Sequence, residues 1–282
     1  MDETDIRTIK ALLARHGFHF SKSMGQNFLI ADWVPRRIAS AAGLDEHCAV
    51  LEIGPGIGPL TRELSARAGR VAAVELDRAL LPILAETLAD CGNVEVIPGD
   101  VMKLDLAELT AQRFGGLTVK VCANLPYNIT TPVITRLLEA GCFQSITLMI
   151  QREVARRICA APGTPDCGAF SLFCQYHAKC ELLFEVSPEC FLPAPKVTSA
   201  VVQLTPHAVP PVEGSPDAMF AVVRAAFAQR RKTLLNALSA AYGSRFSKDQ
   251  LRQIIADCGL PENVRGEQLG LERFAALARL LQ

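Results

Sequence analysis

From residue 48 onwards the sequence alternates short apolar runs, rich in β-branched residues, with longer segments of helical periodicity. The apolar runs cover residues 49–53, 71–75, 94–98, 117–123 and 146–150. Helical patterns lie between or after them at residues 60–68, 78–90, 132–140 and 152–160. Strands that alternate with helices are typical of a parallel sheet whose faces are covered by crossover helices. The alternation therefore predicts an α/β fold.

The pattern changes after this region, because two further strand-like runs are joined by a proline-rich loop and not by a helix. These runs, at residues 181–186 and 199–204, predict an antiparallel hairpin at one edge of the sheet. A proline-rich linker is predicted at 206–216. Helical spacing of apolar residues follows at 219–228, 233–242, 248–258 and 271–281. We therefore predict one domain at 1–206 and a small all-helical domain at 207–282.

The composition of the chain indicates its cellular compartment but does not identify its ligand. Lys plus Arg and Asp plus Glu both number 29, so binding to a polyanion depends on local patches and not on net charge. The 10 cysteines include no C-x-x-C pair, and we interpret them as reduced thiols of a cytosolic protein. The N terminus, M-D-E-T-D, is acidic and begins no apolar segment. The sequence thus predicts a cytoplasmic protein that does not bind membranes.

Three residues, Cys174, His177 and Cys180, form the tightest group of potential metal ligands in the sequence. A closed zinc site usually has about four ligands in paired spacings, and this group lacks both properties. We therefore interpret the three residues as core side chains and predict no metal.

A glycine-rich turn, E-I-G-P-G-I-G, follows the first predicted strand. Its glycines, at positions 54, 56 and 58, let the backbone turn sharply and approach a ligand at the carboxyl edge of the sheet. A dinucleotide-binding fingerprint would place its third glycine at position 59, which is Pro59 here. This difference disfavours a nicotinamide-dependent oxidoreductase.

A carboxylate ends the second predicted strand, and another follows the third. Glu75 lies about 20 residues after the turn, where an acidic side chain accepts hydrogen bonds from ribose hydroxyls. Asp100 follows the third strand and can accept a hydrogen bond from an adenine amino group. With the glycine-rich turn, these groups predict a pocket for an adenosine that does not require a pyrophosphate.

The fourth core strand leads into the sequence C-A-N-L-P-Y-N at 122–128. The amide oxygen of Asn124 and a nearby backbone carbonyl can accept both hydrogens of an exocyclic amine. Pro126 fixes the turn, and Tyr127 offers a flat face for stacking a base. The lone pair of an adenine N6 amine is delocalised into the ring, so two acceptors that favour a pyramidal nitrogen free it to attack a methyl group. The enzyme then contributes mainly positioning and charge matching.

Eight motifs, spread over nearly the whole chain, give it a specific resemblance to a known family. They are G-Q-N-F-L at 25–29, L-E-I-G-P-G-I-G at 51–58, V-E-L-D at 74–77, G-D-V at 99–101, N-L-P-Y-N at 124–128, Q-R-E-V-A-R-R at 151–157, F-L-P-A-P-K-V-T-S-A-V at 191–201 and Q-R-R-K-T-L-L-N at 229–236. With these motifs the chain resembles the ribosomal RNA adenine N6-dimethyltransferases, and most closely their bacterial small-subunit branch.

The resemblance implies a Rossmann-like class I methyltransferase sheet and S-adenosylmethionine as the methyl donor. It implies donor contacts for Asn27, Leu29, Gly54, Glu75, Asp100 and Asn124. The implied substrate is the small ribosomal subunit precursor and its 16S rRNA, in which two neighbouring adenosines near the 3′ end are each dimethylated. The implied catalytic residues are Asn124, Leu125, Pro126, Tyr127 and Phe191. Phe191 is expected to stack the target base opposite Tyr127, after that base has left its helix or loop.

RNA contacts are expected at basic residues, which bind phosphates without reading bases. The candidates are Arg152, Arg156, Arg157, Lys196, Arg230, Arg231 and Lys232. The run at 230–232 is the strongest of these, because cations at a helix N terminus oppose the helix dipole and call for another explanation. The family usually carries a basic stretch with an aromatic residue before Gly25, whereas this chain has S-K-S-M at 21–24.

Two other readings of this resemblance remain open. In the large-subunit branch of the family a single adenosine is modified, but Leu125 and the loop motif P-x-P-K-V-x-S-A-V favour the small-subunit branch. A ribosome-assembly factor, whose binding matters more than its catalysis, is compatible with the same motifs. We expect the chain to act as a monomer.

Overall fold

The computed structural model describes residues 5–20 and 25–282. The sequence S-K-S-M at 21–24, where this chain differs from the usual pattern of the family, lies outside the described residues. Strands β1 to β9 span Phe28–Leu29, Cys48–Ile53, Arg70–Glu75, Val94–Pro98, Thr118–Asn124, Ser145–Gln151, Ala178–Val186, Phe191–Leu192 and Ser199–Pro206. Seven of them form one sheet in the order β4-β3-β2-β5-β6-β9-β7. The strands from β4 to β6 in this order are parallel, and β9 pairs with β6 in the antiparallel direction.

The predicted α/β class is confirmed by this sheet. Each of the five predicted core strands is present, and each observed end lies within one residue of the predicted one. Strand β2 is buried along its whole length, which is typical of a central strand in a parallel sheet. The proline-rich connection between the two edge strands contains β8, which pairs with β1 in a separate two-stranded antiparallel sheet.

Helices join the strands of the main sheet. Helices α1 to α7 span Ile6–Arg15, Trp33–Ala41, Pro59–Ser65, Leu81–Thr87, Leu106–Phe114, Thr130–Ala140 and Arg152–Ile158. Buried side chains of α2 and α3, among them Ile38 and Leu64, pack in one core cluster with Val50 and Val71 of the sheet. Helices α1, α2 and α5 were not predicted; the side chain of Asp105 caps α5 by accepting a hydrogen bond from the Glu108 amide.

Contacts within the chain define two compact units. The first contains the residues up to Ala155 and Lys179–Pro206, and the second contains Arg156–Ala178 and His207–Gln282. Helices α8 to α12, at Ala169–His177, Pro216–Ala228, Leu234–Tyr242, Lys248–Asp257 and Leu271–Leu280, build the second unit. The sequence division at residue 206 leaves 156–178 with the first domain. This segment groups with the C-terminal helices because Leu172 and Tyr176 of α8 lie in their buried core.

Within residues 5–20 and 25–282, no helix is both long enough and apolar enough to span a membrane.

Candidate active site

A cavity of about 230 Å³ lies at the carboxyl edge of the parallel strands in the first unit. Ligands bind at this edge in open α/β sheets, because the loops that follow neighbouring strands converge there. The lining consists of residues 25–29, 52–57, 59, 60, 74–77, 80, 99–101 and 124–129. The N-terminal segment and the ends of four parallel strands therefore share one cavity.

The glycine-rich turn forms one wall of this cavity. Gly54 has a φ of 70°, and its amide donates a hydrogen bond to the Val74 carbonyl. At Gly56 the φ is 63°, and a Cβ atom would lie 3.3 Å from the ring of Phe28. Both positions therefore require glycine, first for the left-handed backbone and then for the close approach of the N-terminal segment.

Glu75 is the last residue of β3 and is only 6% exposed. One of its carboxylate oxygens accepts a hydrogen bond from the Asp77 amide at 2.7 Å, and the other accepts one from the Gly56 amide at 3.4 Å. Burial raises the pKa of Glu75 above its usual value. The side chain is held by backbone donors at the cavity wall, which is suitable for accepting further hydrogen bonds from a ligand.

Asp100 follows β4 and lines the same cavity. Its Oδ1 atom accepts a hydrogen bond from the Met102 amide at 2.9 Å, which fixes the carboxylate in the loop. Asp100 is partly exposed, so its other oxygen can meet a ligand without the full cost of burying a charge.

Asn124 ends β5, and its side chain is oriented by the N-terminal segment. Its Nδ2 atom donates a hydrogen bond to the backbone carbonyl of Asn27 at 3.4 Å. This bond assigns the nitrogen as donor and leaves Oδ1 as the acceptor end of the amide. The side chain of Asn27 donates in turn to the Gly25 carbonyl at 3.1 Å. Asn27, Leu29 and Asn124 all line the cavity.

The turn after Asn124 supplies further lining residues. Leu125 is 1% exposed, and its amide donates to the Met149 carbonyl at 3.1 Å. The Tyr127 hydroxyl and Ser199 Oγ form a hydrogen bond of 2.7 Å, which holds the aromatic ring in place. Burial raises the pKa of the Tyr127 phenol. The phenol therefore stays protonated at neutral pH, and its ring remains available for stacking.

Phe191 is the one predicted catalytic residue that does not line the cavity. It is 2% exposed and belongs to the buried core of the first unit. Leu29 of β1 is its register partner in the two-stranded sheet, so it contacts the segment that lines the cavity. Base stacking on Phe191 stays a prediction, and it requires the ring to become accessible.

Glu52 is a cavity residue that the sequence analysis did not identify. It lies in β2 opposite Cys122 of β5 and is 1% exposed. Among the described residues, none supplies a hydrogen-bond partner to its Oε2 atom. Burial raises the pKa of Glu52 to about 8. The available signal was a carboxylate inside an otherwise apolar strand, since such a residue is rarely buried without a role.

Gln26 is a second residue that the sequence analysis missed. Its Nε2 atom donates to the Asp77 carboxylate at 2.7 Å, and the Asp77 amide donates to Glu75. These bonds attach the N-terminal segment to the end of β3. The motif G-Q-N-F-L provided the signal, but its partner is distant in sequence.

The seven predicted RNA-binding cations lie outside the cavity lining. Arg152 pairs with Glu185 at 3.2 Å. Arg230 pairs with Glu267 at 2.9 Å and also donates to the Pro165 carbonyl, both within the second unit. The side chains of Lys196, Arg231, Lys232, Arg156 and Arg157 are exposed. RNA binding by these residues stays a prediction, and for Arg230 it competes with an existing ion pair.

Residues 5–20 and 25–282 contain no group of three or more His, Cys, Asp or Glu side chains arranged to hold a metal ion.

A sheet of this order, with a cavity at the carboxyl edge of its parallel strands, is the fold of the class I methyltransferases. Residues 17–273 match the family described as Ribosomal RNA adenine dimethylase, and the chain belongs to that family. It is therefore a ribosomal RNA adenine methyltransferase.

Individual relatives agree with this family. The chain is 47% identical over 272 residues to the Ribosomal RNA small subunit methyltransferase A of Alkaliphilus metalliredigens, covering 96% of this chain and 94% of the relative. A crystal structure of a dimethyladenosine transferase from Plasmodium falciparum has the same fold, with a TM-score of 0.76, 24% identity, and coverage of 89% and 95% of the two chains. The crystal structure of the 23S rRNA methyltransferase ErmE matches with a TM-score of 0.69, 27% identity, and coverage of 90% and 99%.

Proposed function

We propose that the chain transfers methyl groups from S-adenosylmethionine to N6 of two neighbouring adenosines near the 3′ end of 16S rRNA. The observation that carries this proposal is Asn124, whose amide is oriented by the Asn27 carbonyl at the cavity wall. S-adenosylmethionine supplies an electrophilic methyl group when it is bound. The reaction then depends on how the chain holds the donor and the target amine.

The cavity residues fit the adenosine part of such a donor. Glu75 is held by two backbone amides and is suited to the ribose hydroxyls, while Asp100 is suited to the adenine amino group. Gly54 lets the backbone approach the ligand closely. Asn27 and Leu29 close the cavity from the N-terminal segment. No metal is needed for these contacts.

The turn at 124–127 acts on the target base in this proposal. Asn124 Oδ1 and a nearby backbone carbonyl accept the two N6 hydrogens, which directs the nitrogen lone pair at the methyl group. Pro126 fixes the path of the backbone, and Leu125 anchors it in the core. Tyr127 and Phe191 stack the base. The methylated amine loses its proton to water, so the chain supplies no general base.

Sequence similarity supports the small-subunit substrate over the large-subunit one. The identity to the small-subunit enzyme of Alkaliphilus metalliredigens is 47%, against 27% to the 23S enzyme ErmE. The proposed partner is accordingly the precursor of the small ribosomal subunit, which locates the reaction in the cytoplasm. Since the chain itself carries all the proposed contacts for one donor and one base, we propose that it acts as a monomer.

Methylation of purified particles tests the proposal. Small and large subunits from cells that lack the enzyme are incubated separately with the protein and radiolabelled S-adenosylmethionine, and the RNA is then digested for mass spectrometry. We expect N6,N6-dimethyladenosine in small-subunit RNA only, with two modified nucleosides per particle. Label in the large subunit alone, or a single modified nucleoside, would contradict the proposed substrate.

A further inference from the structure

Trp33, the only tryptophan of the chain, is 40% exposed at the start of helix α2. The helix buries its other face, where Val34 and Ile38 are fully inaccessible. Residues three and four positions apart share one face of a helix. Trp33 therefore lies on the solvent side together with Arg36 and Arg37.

The Phe184 ring, which is 8% exposed, supports two exposed side chains of the first unit, Trp33 and Arg37. The guanidinium carbon of Arg37 lies 4.1 Å from the centroid of the Phe184 ring. The ring of Trp33 lies 6.2 Å from that of Phe184, centroid to centroid. A planar guanidinium that rests on one ring keeps its second face available for another planar group. We call Trp33, Arg37 and Phe184 the Trp33 platform.

The two adjacent arginines of α2 have different electrostatic surroundings. Arg36 is ion-paired with Asp32 at 3.1 Å and lies 3.5 Å from Glu63. Within residues 5–20 and 25–282, Arg37 has no ion pair. The charge of Arg36 is thus largely compensated, whereas the charge of Arg37 adjoins the Phe184 ring and is not compensated. An uncompensated cation beside an exposed aromatic ring complements a nucleic acid, which offers flat bases and negative phosphates together.

We propose that the Trp33 platform binds an unpaired nucleobase of the substrate RNA, next to the adenosines that are methylated. Single-stranded bases stack on aromatic side chains and on arginine guanidinium planes, and such stacking tolerates different bases. This inference rests on the proposed function for the presence of an RNA substrate. It adds a contact outside the cavity and outside the basic residues considered above.

The short stretch of chain between Leu29 and Trp33 sets an upper limit on the distance between the platform and the cavity. Leu29 lines the cavity, and Trp33 follows it by four residues in the sequence. Four extended residues span at most about 14 Å. This distance corresponds to about four steps between stacked nucleotides. A base bound at the platform is therefore expected within a few nucleotide steps of the cavity.

Fluorescence tests the platform directly, because all tryptophan emission comes from Trp33. The full chain is titrated with a labelled RNA hairpin that carries the two adjacent target adenosines, and polarisation confirms that the RNA is bound. Quenching of Trp33 by acrylamide is then measured for the free and the RNA-saturated protein. We expect RNA to shield Trp33 strongly. Equal quenching in both states would overturn the platform but would leave the proposed function intact.

Variants provide a second, independent test. Trp33→Ala and Arg37→Ala are expected to raise the Kd for the hairpin by about 5- to 150-fold, and Trp33→Phe by much less. Arg36→Ala is the matched control, because its charge is already compensated, and a change below about twofold is expected. Equal effects at Arg36 and Arg37 would overturn stacking in favour of general charge attraction. A wild-type protein that does not bind the hairpin would overturn the platform, whereas the proposed function is tested separately by methylation of small-subunit particles.

Discussion

The side-chain nitrogen of Asn124 lies 3.4 Å from the backbone oxygen of Asn27, although the two residues are separated by 97 positions in the sequence. This hydrogen bond joins the N-terminal segment to the end of β5. It also fixes which atom of the Asn124 amide is free to accept. The residues proposed for the donor and those proposed for the target amine are therefore in direct contact, and substitutions can separate their roles.

Replacing Asn124 by alanine tests the acceptor role. Asn124→Ala removes one preorganised polar contact to the reacting amine, so we expect kcat to fall by about 10²- to 10³-fold. Single-turnover transfer of labelled methyl groups to small-subunit particles measures the effect. Asn263→Ala is a suitable control, because Asn263 is an exposed asparagine of the second unit. A kcat within about twofold of the wild type, with unchanged thermal stability, would refute the role.

The same variant separates catalysis from assembly. If Asn124→Ala supports normal maturation of the small subunit in cells while its methyl transfer is lost, binding to the particle is the dominant cellular role. If maturation fails together with methylation, catalysis dominates.

Glu75 is expected to control donor affinity. Glu75→Gln keeps one acceptor oxygen but removes the negative charge that receives the ribose hydroxyls. Hydrogen bonds to charged groups contribute about 1.5–3 kcal/mol, so the Kd for S-adenosylhomocysteine should rise by about 10- to 150-fold. Isothermal titration calorimetry measures this Kd. Glu95→Gln is the control, since Glu95 pairs with Arg113 and does not line the cavity. Equal affinity of the two variants would argue against the ribose contact.

Glu52 is expected to make stability depend on pH. Burial raises the pKa of Glu52 to about 8 from 4.5, so the folded chain holds this proton more tightly than the unfolded chain does. The stabilisation of the folded chain by this bound proton is fully present below pH 4.5 and is lost as the pH rises through about 8. Glu52→Gln has no such loss. The free energy of unfolding of the variant, relative to that of the wild type, should therefore increase by up to about 1.4 kcal/mol per pH unit within this window. Urea unfolding across the window measures the difference. Parallel pH profiles would show that Glu52 is ionised in the folded chain.

Phe191 is expected to serve both the core and the substrate. Phe191→Ala should cost about 3–5 kcal/mol of stability, since the ring is buried. Phe191→Leu is more informative, because it keeps most of the apolar volume and removes the stacking face. We expect this variant to remain folded and to lose kcat/KM for RNA. Retained kcat/KM would restrict Phe191 to packing.

Arg231 is expected to bind a phosphate. Arg231→Ala should reduce the slope of log affinity against log salt concentration by about 0.7 to 0.9, which corresponds to one phosphate contact. Arg230→Ala is the comparison, because Arg230 also pairs with Glu267. This substitution should lower the free energy of unfolding by up to about 1 kcal/mol. RNA binding at several salt concentrations gives the slopes. An unchanged slope for Arg231→Ala would place the phosphate contacts elsewhere.

Periodicity was sufficient to predict the five core strands and the four C-terminal helices, but not helices α1, α2, α5 and α8. Strand β4 lies at Val94–Pro98 as predicted, and the last helix, at Leu271–Leu280, differs from prediction by one residue. Strands β1 and β8 were missed, because two residues cannot display an alternation. Their pairing depends on residues that are more than 150 positions apart, which no local pattern records.

The candidate site shows the same division between local and distant information. Residues at the strand ends, such as Glu75 and Asn124, could be located because parallel strands end at one edge of the sheet. The bond from Gln26 to Asp77 and the burial of Phe191 could not be predicted, since both depend on tertiary packing. Glu52 was overlooked because it interrupts an apolar run without changing the strand pattern.

The two-residue ladder between β1 and β8 has a consequence for the order of events. Leu29 lines the cavity proposed for the donor, and its register partner Phe191 is proposed to contact the base, so the two contacts share one ladder. We expect loading of one ligand to alter the affinity for the second, and thermodynamic reciprocity makes the two effects equal. A spent donor could then be exchanged while the RNA stays engaged, which suits an enzyme that must act repeatedly on the same pair of nucleotides.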